Sequence, residues 1–575
     1  MEPARAAAVM SEPALDLVHV GQLIRAGRAE PELLERWLEA SWQQPERFQR
    51  ALYIAAASSK AGAIKSRPEL GLDLYTDCVS LHLGKGRTAL IVMQEGRTHE
   101  ISYETLHARC SALASHWIKA GVQPGDSLAV LLPVGLDYCV ALLTGMRMGL
   151  MVTPIAPLGA TYARSRLALV APKHVATVER LQHMLPPDSD SPLPVAAKSG
   201  DTTLTASHTY APDAPVLRLL SPFGVGDQEA PAELAAVTLH EALLRARQLV
   251  FALQVGDRVA APGWDALQLQ PLALLTTLIA GATWVEWTHA DVAAQPQLIA
   301  QTGITLLGVD ARLRELLRAS GPEACKGVRA WFRSLSAVFD HDKWRTFSEL
   351  LAEREIPAFS VLYNAASGGA HLFSPRTLRD HAGRIWPAPG RRFLIAQVGA
   401  GLLPSLDASG VYTPLRDEEA DPTLVRMVVA KLDQGWTLGG SIDQGPEGRK
   451  LPVDEIAACA QQHPNVGAAS VVVLPGRWPN AAHVLLLLFV REPADATPEL
   501  TAEVKRLIQR ELGERHLPER VESFALHPRF EANALRPGWC TSQYLSGMLG
   551  RKSRTPLFLT LSRLAWIFAT HPKTT

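Results

Sequence analysis

The chain has 575 residues, more than one hydrophobic core of the usual ~100–200 residues accommodates, so two or more domains are expected. Lys plus Arg and Asp plus Glu both number 57, which excludes a global basic field for gathering nucleic acid. With 47% hydrophobic and 20% charged residues the composition is globular, and the six cysteines are scattered without a CxxC pair, against both a disulfide framework and a zinc ribbon.

The N-terminal MEPARAAAVMSEPALDL is acidic where an export signal has a basic start and a long apolar middle, so a cytoplasmic location is expected. Residues 1–75 read as a helical extension, with apolar positions of PELLERWLEASWQQPERFQRAL recurring at helical spacing. From Thr88 short β-rich runs alternate with amphipathic helices: TALIVMQ, SYETLHARCSALASHWIKAG, SLAVLLP, LDYCVALLTGMRMG, MVTPIAP. Such alternation builds a layered α/β domain.

The segment VERLQHMLPPDSDSPLPVAAKSGDTTLTASHTYAPDAP is rich in Pro, Ser and Asp and reads as a mobile surface linker between two lobes. A second α/β series follows, in DRVAAPG, PLALLTTLIAGATWVEW, GITLLGVDARLRELLRAS and IPAFSVLYN. After Gly435 a compact βα pattern begins, with VDEIAACAQQHPNVGAASVVVLPG, HVLLLLFVRE and ELTAEVKRLIQRELGERHLP forming a small α+β unit. Boundaries are expected at 76–438 for the large domain, 439–545 for the small one and 546–575 for a basic and apolar tail helix. The tail's PLFLTLSRLAWIFAT is shorter than the ~20 residues that span a bilayer and contains Arg563. It suits packing on its own domain, with peripheral membrane or partner contact as the alternative.

Three stretches carry a family resemblance. SYETLHARCSALASHWIKAGVQPGDSLAVLLPVGLDYCVALLTGMRMGLMVTPIAPLG, LQVGDRVAAPGWDALQLQPLALLTTLIAGATWVEW and PVDEIAACAQQHPNVGAASVVVLPG resemble, in order, the opening, central and C-terminal segments of the adenylate-forming superfamily of acyl-CoA synthetases and nonribosomal adenylation domains. The resemblance implies an α/β adenylate-forming fold, with a large N-terminal domain of three subdomains, a small rotating α+β C-terminal domain and an active site between them. It also implies ATP- and Mg²⁺-dependent activation of a carboxylate, followed by transfer to a thiol.

Attack on an α-phosphorus gathers negative charge that donors, cations and a metal-binding acid must offset. Where the family has a loop of Thr, Ser, Gly and Lys, this chain reads SPFGVGDQEAPAEL. Ser221, Gly224 and Gly226 remain, the Lys is absent, and Asp227, Glu229 and Glu233 add negative charge. A solvated turn is the competing reading of this loop. Where the family follows a Tyr with Gly-x-Thr-Glu, the Glu holding Mg²⁺, VLYNAASGGAHLF offers Tyr363 and Asn364 but no acid. Those two residues are pocket candidates for an adenine-like ring, and core packing is the alternative reading of Tyr363.

The family's Thr-Gly-Asp has no counterpart before KLDQGWTLGG, and APGWDAL lacks its His. GGSID keeps Asp443 as a hinge candidate, although an exposed turn suits that residue equally. Where the family has a late catalytic Lys, HPRFEANALRPGWC has Ala534 and Leu535, with Arg529 and Arg536 nearby and Arg536 a weak substitute.

Each lost transition-state donor typically costs ~10²–10³ in rate. The expectation is therefore a degenerate, non-catalytic member that acts as a binding or scaffolding subunit in an acyl or carboxylic-acid pathway. Such a protein needs no cofactor or metal, and its expected partners are an acyl carrier protein or pathway enzymes. The alternative is an active acyl-CoA or acyl-carrier-protein ligase using ATP and Mg²⁺. A further alternative retains the acyl pocket as a carrier or sensor.

Overall fold

The computed structural model describes residues 16–27, 31–58, 64–187, 189, 191–196, 206–220, 231–262, 269–334, 341–364, 369–378, 386–390, 393–397, 409–414, 427–431, 436–441, 453–474, 483–490, 493–525, 540 and 544. Among these residues four β-sheets are layered with helices. The nine-stranded sheet runs in the order Trp386–Pro387, Gly369–Phe373, Ala358–Asn364, Ala330–Ser334, Leu306–Gly308, Arg258–Ala260, Thr283–Glu286, Thr88–Gln94 and Arg97–Ser102. Its central strands are parallel and its two ends antiparallel.

Strand alternation explains how this sheet is covered on both faces. Leu90, Val92 and Trp284 face one core, whereas Ile91, Val285 and Trp287 face another. A side chain of this size contributes ~1.5–3 kcal/mol when fully buried.

The five-stranded sheet runs His174–Ala176, Ser127–Leu131, Met151–Ile155, Pro215–Leu219, Ala232–Ala235, with only the last pair antiparallel. Its helices start and stop where local chemistry dictates. Ser102 caps the helix Tyr103–Lys119 by accepting the Thr105 N–H at 3.1 Å. The helix Leu136–Met148 ends at Gly149, whose φ of +80° is left-handed and whose missing Cβ leaves room for His208.

Two expectations change here. TALIVMQ, grouped in sequence with the first α/β series, crosses to the nine-stranded sheet and pairs in parallel with Thr283–Glu286. Hydrophobic periodicity identifies a strand but carries no information on which sheet it joins. The Pro-rich linker is also tied down in its described part. Leu193 bridges Ala176, the Trp117 indole N–H donates to the Pro194 carbonyl at 2.9 Å, and the Tyr210 hydroxyl donates to the Met146 and Leu150 carbonyls at 3.0 Å. Leu181, Leu185, Leu193, Val195 and Tyr210 are buried. Proline and serine lower regular structure without preventing anchorage by the apolar residues among them.

The N-terminal helices Leu17–Arg25, Pro31–Gln43 and Pro45–Ser58 share the principal core, burying Leu17, Ile24, Trp37, Leu38, Phe48 and Leu52 with strand residues of the nine-stranded sheet. Polar contacts fix their docking. The Tyr53 hydroxyl lies 3.1 Å from His240 Nδ1, and His240 Nε2 lies 3.0 Å from Asp77, with the His and Asp side chains wholly buried. Arg25 donates to the Ala252 carbonyl at 2.6 Å and pairs with Asp257 at 3.0 Å.

A third sheet holds Phe393–Gln397, Ser409–Pro414, Met427–Lys431 and Trp436–Ser441 in antiparallel order. In the C-terminal unit the strands Val466–Leu474, His483–Val490 and Arg520–Ala525 are covered by the helices Val453–Gln461 and Pro498–Leu512. Leu500, Val504, Ile508 and Leu512 form that last helix's buried stripe at four-residue spacing, and Thr497 caps its start. Among the described residues no helix is long and apolar enough to cross a membrane.

Candidate functional site

Parallel strands in open α/β sheets direct their carboxyl ends toward the crevice where ligands bind. At these ends the strand Pro215–Leu219 leads into 221–230, Arg258–Ala260 leads toward 263–268, and Ala358–Asn364 leads into 365–368. Ser221, Gly224, Gly226, Asp227 and Glu229 lie outside the described residues, as do Asp443, Arg529, Arg536 and the tail. The Asn364 backbone ends its strand and pairs with Gly369.

Tyr363 is 6% exposed. Its ring stacks on Phe251 at 6.2 Å with 26° between planes, and Thr276 lies beside its hydroxyl. Burial pushes the phenol well above its ordinary pKa. Phe251 in turn packs edge-on to Phe332 and Phe359, so Tyr363 belongs to an aromatic cluster beneath the sheet's edge.

Glu233, counted in sequence with the acidic loop, stands opposite Arg218 in the antiparallel pair and accepts from it at 3.0 and 2.6 Å. Its charge is thereby offset by a cross-strand partner rather than added to the loop.

The sequence reading missed Glu286, at the carboxyl end of Thr283–Glu286. The Trp284 indole and the Gln270 amide both donate to Glu286 Oε2, at 2.6 and 2.9 Å. Burial pushes this carboxyl up to about 7, with the two hydrogen bonds acting in the opposite direction. Glu286 and Asp137 add to the upward shift that burial imposes on the Cys139 thiol, which places the carboxyl near the helix Leu136–Met148. A lone acid inside the apolar run TWVEW was the available signal.

Gln94, residues 132–137, Val178 and Arg180 line a cleft of about 120 Å³. Among the described residues no group of three His, Cys, Asp or Glu side chains has metal-holding geometry.

Residues 82–216 match the AMP-binding enzyme family. Solved structures extend that likeness over nearly the whole chain. An acyl-CoA synthetase from Brucella canis superposes with a TM-score of 0.55 at 17% identity, over 89% of this chain and 99% of that one. The fold is that of the adenylate-forming enzymes.

An artificially fused Adenylation-PCP di-domain NRPS, NpsA-ThdA from Klebsiella oxytoca, gives a TM-score of 0.61 at 15% identity, over 78% of this chain and 85% of that one. A double mutant of o-succinylbenzoate CoA synthetase from Bacillus subtilis, bound with a product analogue, gives 0.60 at 14% identity, over 82% and 98%. No curated protein matches the chain. The adenylate-forming framework is therefore present from the opening sheet to the C-terminal unit, with Tyr363 and Glu286 at its carboxyl edge.

Proposed function

We propose that this chain is a cytoplasmic, non-catalytic member of the adenylate-forming fold, serving as a binding or scaffolding subunit in an acyl or carboxylic-acid pathway. An acyl carrier protein or pathway enzymes would be its partners. The observation that carries this reading is the commitment of Tyr363 to the Phe251 cluster, followed by Asn364, Ala365, Ala366 and Ser367 with no acid to hold Mg²⁺. The missing Lys in 219–234, the absent Thr-Gly-Asp and the missing late Lys point the same way. Losses at several donors together leave little phosphoryl chemistry.

The second reading, an active acyl-CoA or carrier-protein ligase with divergent motifs, is favoured by the completeness of the framework, which spans 99% of the Brucella canis acyl-CoA synthetase. In that reading Ser221, Gly224, Gly226, Tyr363 and Arg536 carry a reduced activity. Acid-dependent exchange of labelled pyrophosphate into ATP, over a broad panel of carboxylic acids, separates the two. Background-level exchange and an unshifted melting temperature with ATP and Mg²⁺ are expected, and acid-dependent exchange would overturn the proposal.

A further inference from the structure

The contact between the five-stranded sheet and the C-terminal unit is built from both sides. The helix Ala160–Val170 follows the strand Met151–Ile155 and begins at Gly159. Its Tyr162 is wholly buried and shares one hydrophobic cluster with Ile456, Leu486, Val504, Ile508 and Leu512 of the C-terminal unit. The His516 ring stacks on Tyr162 at 6.3 Å and 19°, and the Arg166 guanidinium lies 3.5 Å from the Tyr162 ring centre. His516 is itself held by a 2.6 Å hydrogen bond from Nδ1 to the Leu512 carbonyl.

Polar groups fix the register of this contact. Glu511 Oε2 accepts the Thr161 N–H at 3.3 Å and the Thr161 hydroxyl at 2.9 Å, so a carboxylate from one unit caps the first turn of a helix in the other. Gly159 permits the approach. A Cβ at this position would stand 1.8 Å from the Glu511 carbonyl oxygen, inside any allowed contact. Its φ of 167° is extended backbone open to every residue, so space rather than conformation requires the glycine. An aromatic side chain that joins the other unit's core, a cross-unit helix cap and a backbone approach that tolerates no side chain must all be undone together for the units to turn.

We infer that the C-terminal unit is clamped in a single orientation on the helix Ala160–Val170 by Tyr162, the Glu511 cap and the bare Gly159 backbone. The clamp goes beyond the proposed loss of ligation, since it rests on inter-unit contacts alone. It fixes the geometry that any partner or ligand at the carboxyl edge meets, and a ligand reorients the unit only by binding a released state more tightly by the whole free energy of the clamp.

Spin labels on cysteines introduced at the exposed Arg109 and Glu499 report the inter-unit distance in the full chain, because all six native cysteines are buried. The wild type is expected to give one narrow distance distribution, unchanged by ATP with Mg²⁺ and a panel of carboxylic acids. Gly159→Ala is expected to add a second, longer-distance population, and Thr161→Val a smaller one. Hydrogen exchange within the strand His483–Val490 verifies that the C-terminal unit stays folded in each variant. Two populations in the wild type, or a Gly159→Ala distribution as narrow as the wild type in a folded chain, would overturn the clamp. Pyrophosphate exchange in a chain with one distance population would sink the non-catalytic reading and leave the clamp standing, so the two fail separately.

Discussion

At the junction of the N-terminal helices, Tyr53, His240 and Asp77 form a buried chain in which each member meets the next at 3.0 to 3.1 Å. Asp77 also accepts the Lys65 N–H at 2.8 Å. At the carboxyl edge of the nine-stranded sheet, by contrast, Glu286 receives both donors on one oxygen and is pushed up to about 7. Beside the same edge, Tyr363 has become part of an aromatic core. The first region spends its polar groups on holding a helical arm to a domain. The second has the position of a ligand crevice, and its described residues are partnered among themselves. Reciprocal partners make polar groups a framework, whereas a lifted carboxyl pKa marks a group whose charge the surroundings tolerate poorly.

The largest expected effect is at the junction. Asp77→Ala leaves His240 and the Lys65 N–H without their acceptor, at a cost of about 2–4 kcal/mol in urea unfolding, and makes residues 16–58 newly susceptible to limited proteolysis. Burial pushes the Asp77 carboxyl up, but the hydrogen bond and charge of His240, with hydrogen bonds from Ser66 and the Lys65 backbone, together hold it below the usual carboxylate range. Its contribution is therefore present above the unfolded carboxylate pKa and lost as the pH falls through the folded one. An Asp77→Ala protein as stable as the wild type, with a protected arm, would erase the contrast between the regions.

Glu286 has the opposite sign. Its folded pKa of about 7 lies above the reference value of 4.5, so the folded chain holds a proton through that interval that the unfolded chain has released. Stability from this group falls as the pH rises through the window and levels off above it. Glu286→Gln is expected to stabilise the protein by roughly 2 kcal/mol at pH 8 and to change little at pH 5, read from paired urea melts. A pH-independent difference would place the carboxyl in ordinary solvent.

Two smaller effects sharpen the account of the edge. Tyr363→Phe keeps the ring on Phe251 and is expected to cost no more than about 1 kcal/mol in thermal unfolding, without altering any response to ATP. Loss of an ATP-induced shift in that variant would return Tyr363 to a nucleotide site. Arg218→Ala frees Glu233 from its cross-strand partner and is expected to cost about 0.5 kcal/mol, read from urea melts.

Periodicity made the fold legible. The runs SLAVLLP and HVLLLLFVRE read as strands and ELTAEVKRLIQREL as an amphipathic helix because each pattern reflects a face that must be buried. Partner choice was not legible. Nothing in TALIVMQ says that it pairs with Thr283–Glu286 rather than Ser127–Leu131, and nothing in the Pro-rich linker's composition marks Leu193 and Tyr210 as anchors. No motif marks Tyr162, and the core that it joins is built from the C-terminal unit. At the site the altered motif residues could be read directly, but the pairing of Glu286 with Gln270 and Trp284 depends on side chains brought together by the sheet and the preceding helix Leu269–Ile279.

The non-catalytic reading stands or falls on one assay. Acid-dependent exchange of labelled pyrophosphate into ATP by the full chain with Mg²⁺ is predicted to stay at background across short, long, aromatic and amino acids. Saturable exchange with any one of them would contradict the account.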